Sequence, residues 1–395
     1  MTQINFAHSL RKAAPVLACI SIFGMVLGLL TPLLSVRMQL AGASSTSIGF
    51  LAASTAMATM LVGPFVPKMA RLFGARGLML TGIGLSLLIM PSFELIRDWH
   101  FWFPIRFLLS SALTTLFVLT EIWINAVTPN EIRGRMLGLY VSGLSGGFMI
   151  GPIILTFVGT DGPWPIMITT GLIMIAAIPV LASRTPSPVF EDHQGPSMWR
   201  LMQLAPAIYC AAFAYGGIET AFFGLMPVHA TANGLSVATM ALLLSTMAAG
   251  QVVLQVPIGM LSDRLDRRFV LMVCAITGIA GMVILAAYPR SEWVLATNLF
   301  LWGGIVVGFY TVGLTILGER HKGAELVSVN AVFSSFYGLG ALVGPAATGA
   351  VMDAIPTFGL PLALGVISAM VLVPITLAWL KDPALIQPRH FAAHN

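Results

Sequence analysis

Charge is what this chain has least of. Asp, Glu, Lys and Arg together make up 9% of 395 residues, where a soluble domain carries about 25%. With 57% hydrophobic residues, no water-soluble fold of this length could hide its apolar surface, so an integral membrane protein is expected. Cysteine is nearly missing too. Cys19, Cys210 and Cys274 each fall inside an apolar run, which argues against a disulfide framework, and no metal-ligand spacing exists. No G-x-x-x-x-G-K-[ST] stretch occurs, so direct coupling to ATP hydrolysis within the chain is not expected. His8, His100, His193, His229, His321, His390 and His394 lie in loops, tails or at run ends. Neither paired acids nor a Ser/His arrangement accompanies them, so an enzyme and a bound cofactor are not expected.

What is abundant is long apolar runs. Those able to cross about 30 Å of hydrocarbon as helices are Ala14–Val36, Thr46–Val66, Gly77–Leu95, Phe101–Val127, Met136–Val158, Trp164–Ser183, Leu204–Val228, Val237–Leu261, Phe269–Tyr288, Trp293–Leu317, Leu326–Met352 and Gly359–Leu380. The first is too long for the core of a removable signal peptide. Of the 20 Lys and Arg residues, sixteen fall on one side of this twelve-span arrangement. Only Arg37, Arg97 and Arg290 fall on the other, and Arg106 lies inside a span. That asymmetry predicts both termini in the cytoplasm. The net charge of +5 thus records topology and implies no nucleic-acid partner.

Two landmarks recur at almost one offset. Gly259-Met-Leu-Ser-Asp263-Arg264-Leu-Asp266-Arg267-Arg268 has a degraded copy 192 positions earlier, Pro67-Lys-Met-Ala-Arg71-Leu72-Phe-Gly74-Ala-Arg76. Gly147-xxx-Gly151-Pro152 returns 193 positions later as Gly340-xxx-Gly344-Pro345. The reading is a duplicated half: residues 1–183 and 204–395 as six-helix units, joined by a cytoplasmic linker at 184–203.

These motifs resemble the major facilitator superfamily over essentially the whole chain, in particular its bacterial drug/proton antiporter-like branch. The family marker G-x-x-x-D-R-x-G-R-R is matched by Gly259, Asp263, Arg264, Arg267 and Arg268, with Asp266 in place of the inner glycine. The resemblance implies an all-α membrane fold: twelve transmembrane helices in two pseudo-symmetric six-helix bundles around a central cavity. It implies a secondary transporter of a small molecule, driven by the proton gradient in a bacterial-type cytoplasmic membrane and working as a monomer in the lipid bilayer. The marker is a gate latch in that family. Gly259 would allow close helix approach, Asp263 would meet the start of span five near Gly134–Met136, and the basic residues would hold loops or lipid headgroups. Simple anchoring of a short turn explains the same charges. In the first-half copy, where Arg71 replaces the acid, the equivalent contact would run to Glu325 or Glu319, with Arg76 beside it. Gly138, Gly147, Gly151 and Pro152 follow a pattern that the family associates with proton-linked exporters. Close packing of a helix pair accounts for it equally well, since span eleven repeats it.

Polar groups inside hydrocarbon need a reason. At 100° per residue, Arg106, Ser110, Thr114, Glu121 and Asn125 share one arc of span four, with Glu121 about 22 Å beyond Arg106. Arg106 is expected to face the cavity. Glu121 either does the same or pairs with a loop arginine such as Arg76 or Arg135. Glu219 sits at the middle of span seven with Tyr215 one turn before it, and is expected to exchange the coupled proton opposite Arg106. Gln251 and Gln255, and Asn298 and Trp302, repeat the one-turn spacing and serve as candidate cavity groups or as interhelical hydrogen-bonding groups. The leading functional reading is proton-coupled export of a small amphipathic compound. A metabolite importer or uniporter is the alternative within the class, and a receptor or scaffold the alternative outside it. The topology is checked by labelling: single cysteines at His100 and Arg290 react with an impermeant thiol reagent in intact cells, and one at Gln194 does not.

Overall fold

The computed structural model describes residues 6–128, 132–182, 206–320 and 323–381. Among these, all regular structure is helical. Twelve helical stretches are long and apolar enough to cross a membrane: Ser9–Leu40, Ser45–Phe73, Ala75–Leu95, Trp99–Val127, Arg135–Val158, Trp164–Ala182, Pro206–Ala232, Val237–Arg264, Arg267–Ala287, Glu292–Gly318, Ser328–Ala354 and Gly359–Leu377. They are spans one to twelve below. Lipid-facing apolar side chains stay exposed, as Phe157, Leu88 and Ile178 are. Trp164 and Trp293 are exposed at the first turns of their helices, where amphipathic rings suit a membrane interface. The expected linker, 184–203, lies outside the described residues.

The turns carry the internal repeat more faithfully than the sequence motifs do. Between spans one and two, Gly42 has φ +80° and Ser44 caps span two by accepting from Ser47 N. Between spans seven and eight, Gly234 has φ +82° and Ser236 caps span eight by accepting from Thr239 N. The two capping serines even share backbone angles, φ −68° with ψ 154° and 156°. Glycine supplies the left-handed turn and serine the orphan helix donor with its partner.

Three spans differ from the continuous helices expected, the third of them breaking at Met90–Pro91 between helices Ala75–Ile89 and Ser92–Leu95. Span two runs to Phe73 through a 3-10 turn at Gly63–Phe65, where Pro64 and Pro67 disrupt the helical ladder. Span ten breaks at Val307, between helices Glu292–Val306 and Gly308–Arg320. A side chain at Gly308 would crowd Cys274 Sγ at 2.6 Å and Ile258 at 3.2 Å. The break therefore lies where the backbone is pressed against spans eight and nine.

Glycines weld span one to span five and span seven to span eleven. A Cβ at Gly147 would strike the backbone of Ser21, Met25 and Gly24, and one at Gly151 that of Met25 and Gly28. In the second half, one at Gly340 would strike Phe213 and Gly217, and one at Gly344 would strike Gly217. Pro152 and Pro345 lie within these helices. Pro152 Cδ faces Gly28, and the Pro345 carbonyl abuts Gly49 of span two. The repeated stripe is a packing face in both halves. Gly259 behaves differently from expectation: nothing lies within 4 Å of its Cβ position, so it mediates no close approach in this conformation. Gly340→Leu and Gly147→Leu should each lower the thermal stability of the detergent-purified protein, by at least the roughly 1–3 kcal/mol of an overpacked core. Gly259→Ala should leave the melting temperature within error.

Candidate functional site

Glu219 lies midway along span seven, and its carboxylate gathers three donors. Oε1 accepts from the Tyr215 hydroxyl at 2.9 Å and from Gln251 Nε2 at 3.1 Å, and Oε2 accepts from the Tyr337 hydroxyl at 2.6 Å. Gln251 also donates to the Tyr215 oxygen at 2.9 Å. Spans seven, eight and eleven thus converge on one carboxyl. Tyr310, just past the break in span ten, completes a cluster in which the rings of Tyr215, Tyr310 and Tyr337 lie 5.7–6.0 Å apart. Phe333 packs against Tyr310 at 5.2 Å.

Tyr215 and Gln251 were legible from helical spacing, but Tyr310 and Tyr337 were not. One signal was available: the chain has six tyrosines against 23 phenylalanines, and a tyrosine inside a span needs a partner for its hydroxyl. Gln255 reaches Thr311 at 3.4 Å, beside the same cluster.

Glu121 approaches from span four. Its side chain is solvent-accessible, and Tyr310 stands within electrostatic reach of both Glu121 and Glu219. No arginine pairs with Glu121 among the described residues; Arg76 Nη2 instead donates to the Leu181 carbonyl of span six. Asn125 bonds the Glu121 backbone carbonyl at 2.9 Å, so it serves its own helix.

Arg106 does not oppose Glu219. It is 2% exposed, and Nη2 donates to Thr31 at 3.2 Å and Thr55 at 3.3 Å, all within the first six spans. Ser110 and Thr114 continue that seam by pairing with Thr55 and Thr59 of span two at 3.1 and 3.2 Å. Helical arithmetic gave the shared face correctly. It could not say that span two, with hydroxyls of its own, would cover the upper part of it.

Asn298 and Trp302 leave the candidate cavity altogether. Asn298 Nδ2 donates to the Gly281 carbonyl at 2.9 Å and Trp302 Nε1 to the Gly278 carbonyl at 3.1 Å. A Cβ at Gly281 would collide with the Trp302 ring. These two side chains lock span ten onto span nine.

The gate charges also take other partners here. Asp263 is exposed and meets Arg267 at 3.5 Å on its own hairpin, not span five. Arg264 is exposed, Asp266 caps span nine by accepting from Arg268 N at 2.8 Å, and Arg267 Nε donates to Ser262 O at 3.3 Å. Arg71 lies in the last turn of span two and Glu325 in the first turn of the helix leading into span eleven. The Glu319 side chain lies outside what is described.

At the face that carries the turn between spans one and two, the first six and last six spans are clasped. The Asp353 carboxylate accepts from Ser45 N at 2.7 Å, Thr46 N at 2.9 Å and Thr46 Oγ1 at 2.6 Å. It caps span two from the end of span eleven, where a carboxylate complements the helix dipole. Thr231 donates to Gln39 at 2.7 Å, Gly49 meets Pro345, and Gly224 meets Ala52. Sequence reasoning missed Asp353, because a lone acid at a run end carries no sign of what it will cap.

The sequence profile of the Major Facilitator Superfamily matches residues 16–206 and again 208–392. The chain is 27% identical over 336 residues to YfkF, an uncharacterized MFS-type transporter of Bacillus subtilis (strain 168), covering 84% of this chain and 86% of that one. The fold resembles that of a point mutant of the nucleoside transporter NupG, with TM-score 0.78 at 13% identity, covering 93% of this chain and 99% of that one. It also resembles a bacterial homolog of the human lysosomal transporter Spinster, solved in an inward-facing and unoccupied conformation, with TM-score 0.73 at 13% identity, covering 97% and 98%. Asp353→Ala should loosen the clasp. Spin labels at Ala41 and Pro356 should show a longer, broader distance distribution than in the parent protein.

Proposed function

The chain belongs to the major facilitator superfamily, and within that family of secondary transporters we propose that it exports a small amphipathic solute in exchange for protons by alternating access. Glu219 carries the reading. All three groups described around it donate, an arrangement that suits an ionised carboxylate, which only accepts. A proton arriving on Glu219 makes it a donor, for which the tyrosine oxygens are the acceptors at hand. One tyrosine hydroxyl must then turn, since a hydroxyl can accept as well as donate.

Tyr337, the nearest donor, rides on span eleven. The same helix carries Pro345 against Gly49 and Asp353 against the start of span two. Proton uptake at Glu219 therefore acts directly on a helix that clasps the two sets of six spans. Alternating access needs such a link, because a proton can bias the two conformations only through contacts that differ between them.

On this reading both termini are cytoplasmic, so the clasp on Asp353 closes the outer face and the protein faces inward. The solution of the Spinster homolog in that conformation supports this reading. The latch pairs, Asp263 with span five and Arg71 with Glu325 or Glu319, belong to the opposite, cytoplasm-closed state. Uptake of a metabolite is the second reading. The packing role of Gly147 and Gly151, repeated in span eleven, leaves their pattern neutral between the two directions.

The test is proton movement in reconstituted vesicles of fixed orientation, screened with a compound panel. Glu219→Gln should fold and abolish the response of transport to an imposed pH gradient, a loss of at least about tenfold in gradient-driven accumulation. An undiminished response in this variant would move the coupling site to Glu121. Compound accumulation driven by protons moving in the same direction would replace export with uptake.

A further inference from the structure

Arg106 has a charge with nothing to balance it. A guanidinium stays protonated inside a protein, and this one ranks among the largest fully buried side chains. No carboxylate lies within ion-pair distance of it among the described residues. Its hydrogen-bond partners are two neutral hydroxyls, both on Nη2, while Nη1 is buried with no partner. An unpaired buried cation is among the costliest arrangements a fold can hold. Charges within a membrane span ordinarily meet another charge or a ring of carbonyls.

Beside this guanidinium the structure leaves a cavity of about 10 Å³, room for a guest of roughly one water's size, lined by Arg106, Thr31, Ser35, Leu34, Leu51 and Ala52. The residues around it bring one cation and two hydroxyl-bearing side chains, and no acidic group. Thr31 Oγ1 accepts from Arg106, which leaves its own proton free to donate. Ser35 donates to the Thr31 carbonyl at 3.0 Å and can turn. The aliphatic walls exclude a large hydrated ion.

We propose that Arg106 and Thr31 form a binding site for a small monovalent anion, enclosed within the first six spans and separate from the Glu219 centre. Nη1 and the Thr31 hydroxyl donate to the anion, whose charge neutralises the guanidinium. Two sources share this chemistry: a free halide, or the carboxylate of a transported solute reaching in from the central space.

Thermal unfolding of the full-length protein in detergent, at constant ionic strength, tests the site. Sodium gluconate, whose anion is too bulky to enter, is replaced stepwise by chloride, bromide, formate or acetate. The expected result is a saturable rise in melting temperature. Thr31→Val, which keeps the shape and removes the hydroxyl, should raise the half-saturating concentration about tenfold, the effect of losing one hydrogen bond to a charge. Arg106→Gln should abolish the response, and Glu219→Gln should retain it. Stabilisation by chloride and bromide alone identifies a free halide. Stabilisation by formate and acetate in preference to halides identifies a solute carboxylate. Equal melting temperatures in all salts, gluconate included, would overturn the proposal, as would a response that Thr31→Val leaves unchanged. In that case water alone occupies the cavity.

Discussion

Contact between the backbones of spans seven and eleven is the constraint on which the centre of this molecule depends. Gly340 and Gly344 bring span eleven so close to Phe213 and Gly217 that no Cβ fits between them. Only at that distance can Tyr337, three residues before Gly340, place its hydroxyl 2.6 Å from Glu219. In hydrocarbon no hydrophobic force holds helices together, so small residues and interhelical hydrogen bonds must do so. Here the two are consecutive parts of one contact. The smooth stripe sets the distance and the tyrosine uses it.

The same economy explains how polarity is distributed. Span four pairs its upper hydroxyls with Thr55 and Thr59 of span two and leaves Glu121 accessible. Span ten spends Asn298 and Trp302 on the carbonyls of span nine, then breaks and presents Tyr310 to the centre. Each helix is structural for part of its length and chemical for the rest. The scaffold is duplicated, down to the turn angles at Gly42 and Gly234, but the chemistry is not. The acid ringed by tyrosines belongs to the last six spans and the buried arginine to the first six.

Much of the fold could be read from the sequence, because scarcity of charge makes each apolar run conspicuous. The partnership of Glu219, Tyr215 and Gln251 was half-visible, since a one-turn spacing puts two groups on one face. What the spacing could not supply was the neighbour. Gln251–Gln255 and Asn298–Trp302 repeat the same interval, yet the first pair turns to hydroxyls at the centre and the second to a glycine-lined helix. The expected opposition of Arg106 and Glu219 failed for a related reason. A helical wheel gives direction, whereas depth and covering helix come from packing. Asp263 and Arg267 likewise meet each other on their own hairpin, a pairing that the spacing of the motif did not single out.

Asp353 has a counterpart by the repeat. Counting back 192 positions from the end of span eleven reaches Asp161, just beyond the end of span five. Asp161 makes no hydrogen bond or ion pair among the described residues, whereas Asp353 accepts three. Among the described residues, of the two symmetry-related seams on that face only the one between spans two and eleven is clasped by a carboxylate. A rocking motion would thus meet unequal resistance along its two edges, and the halves would part as a door hung on one side rather than as a pair of jaws.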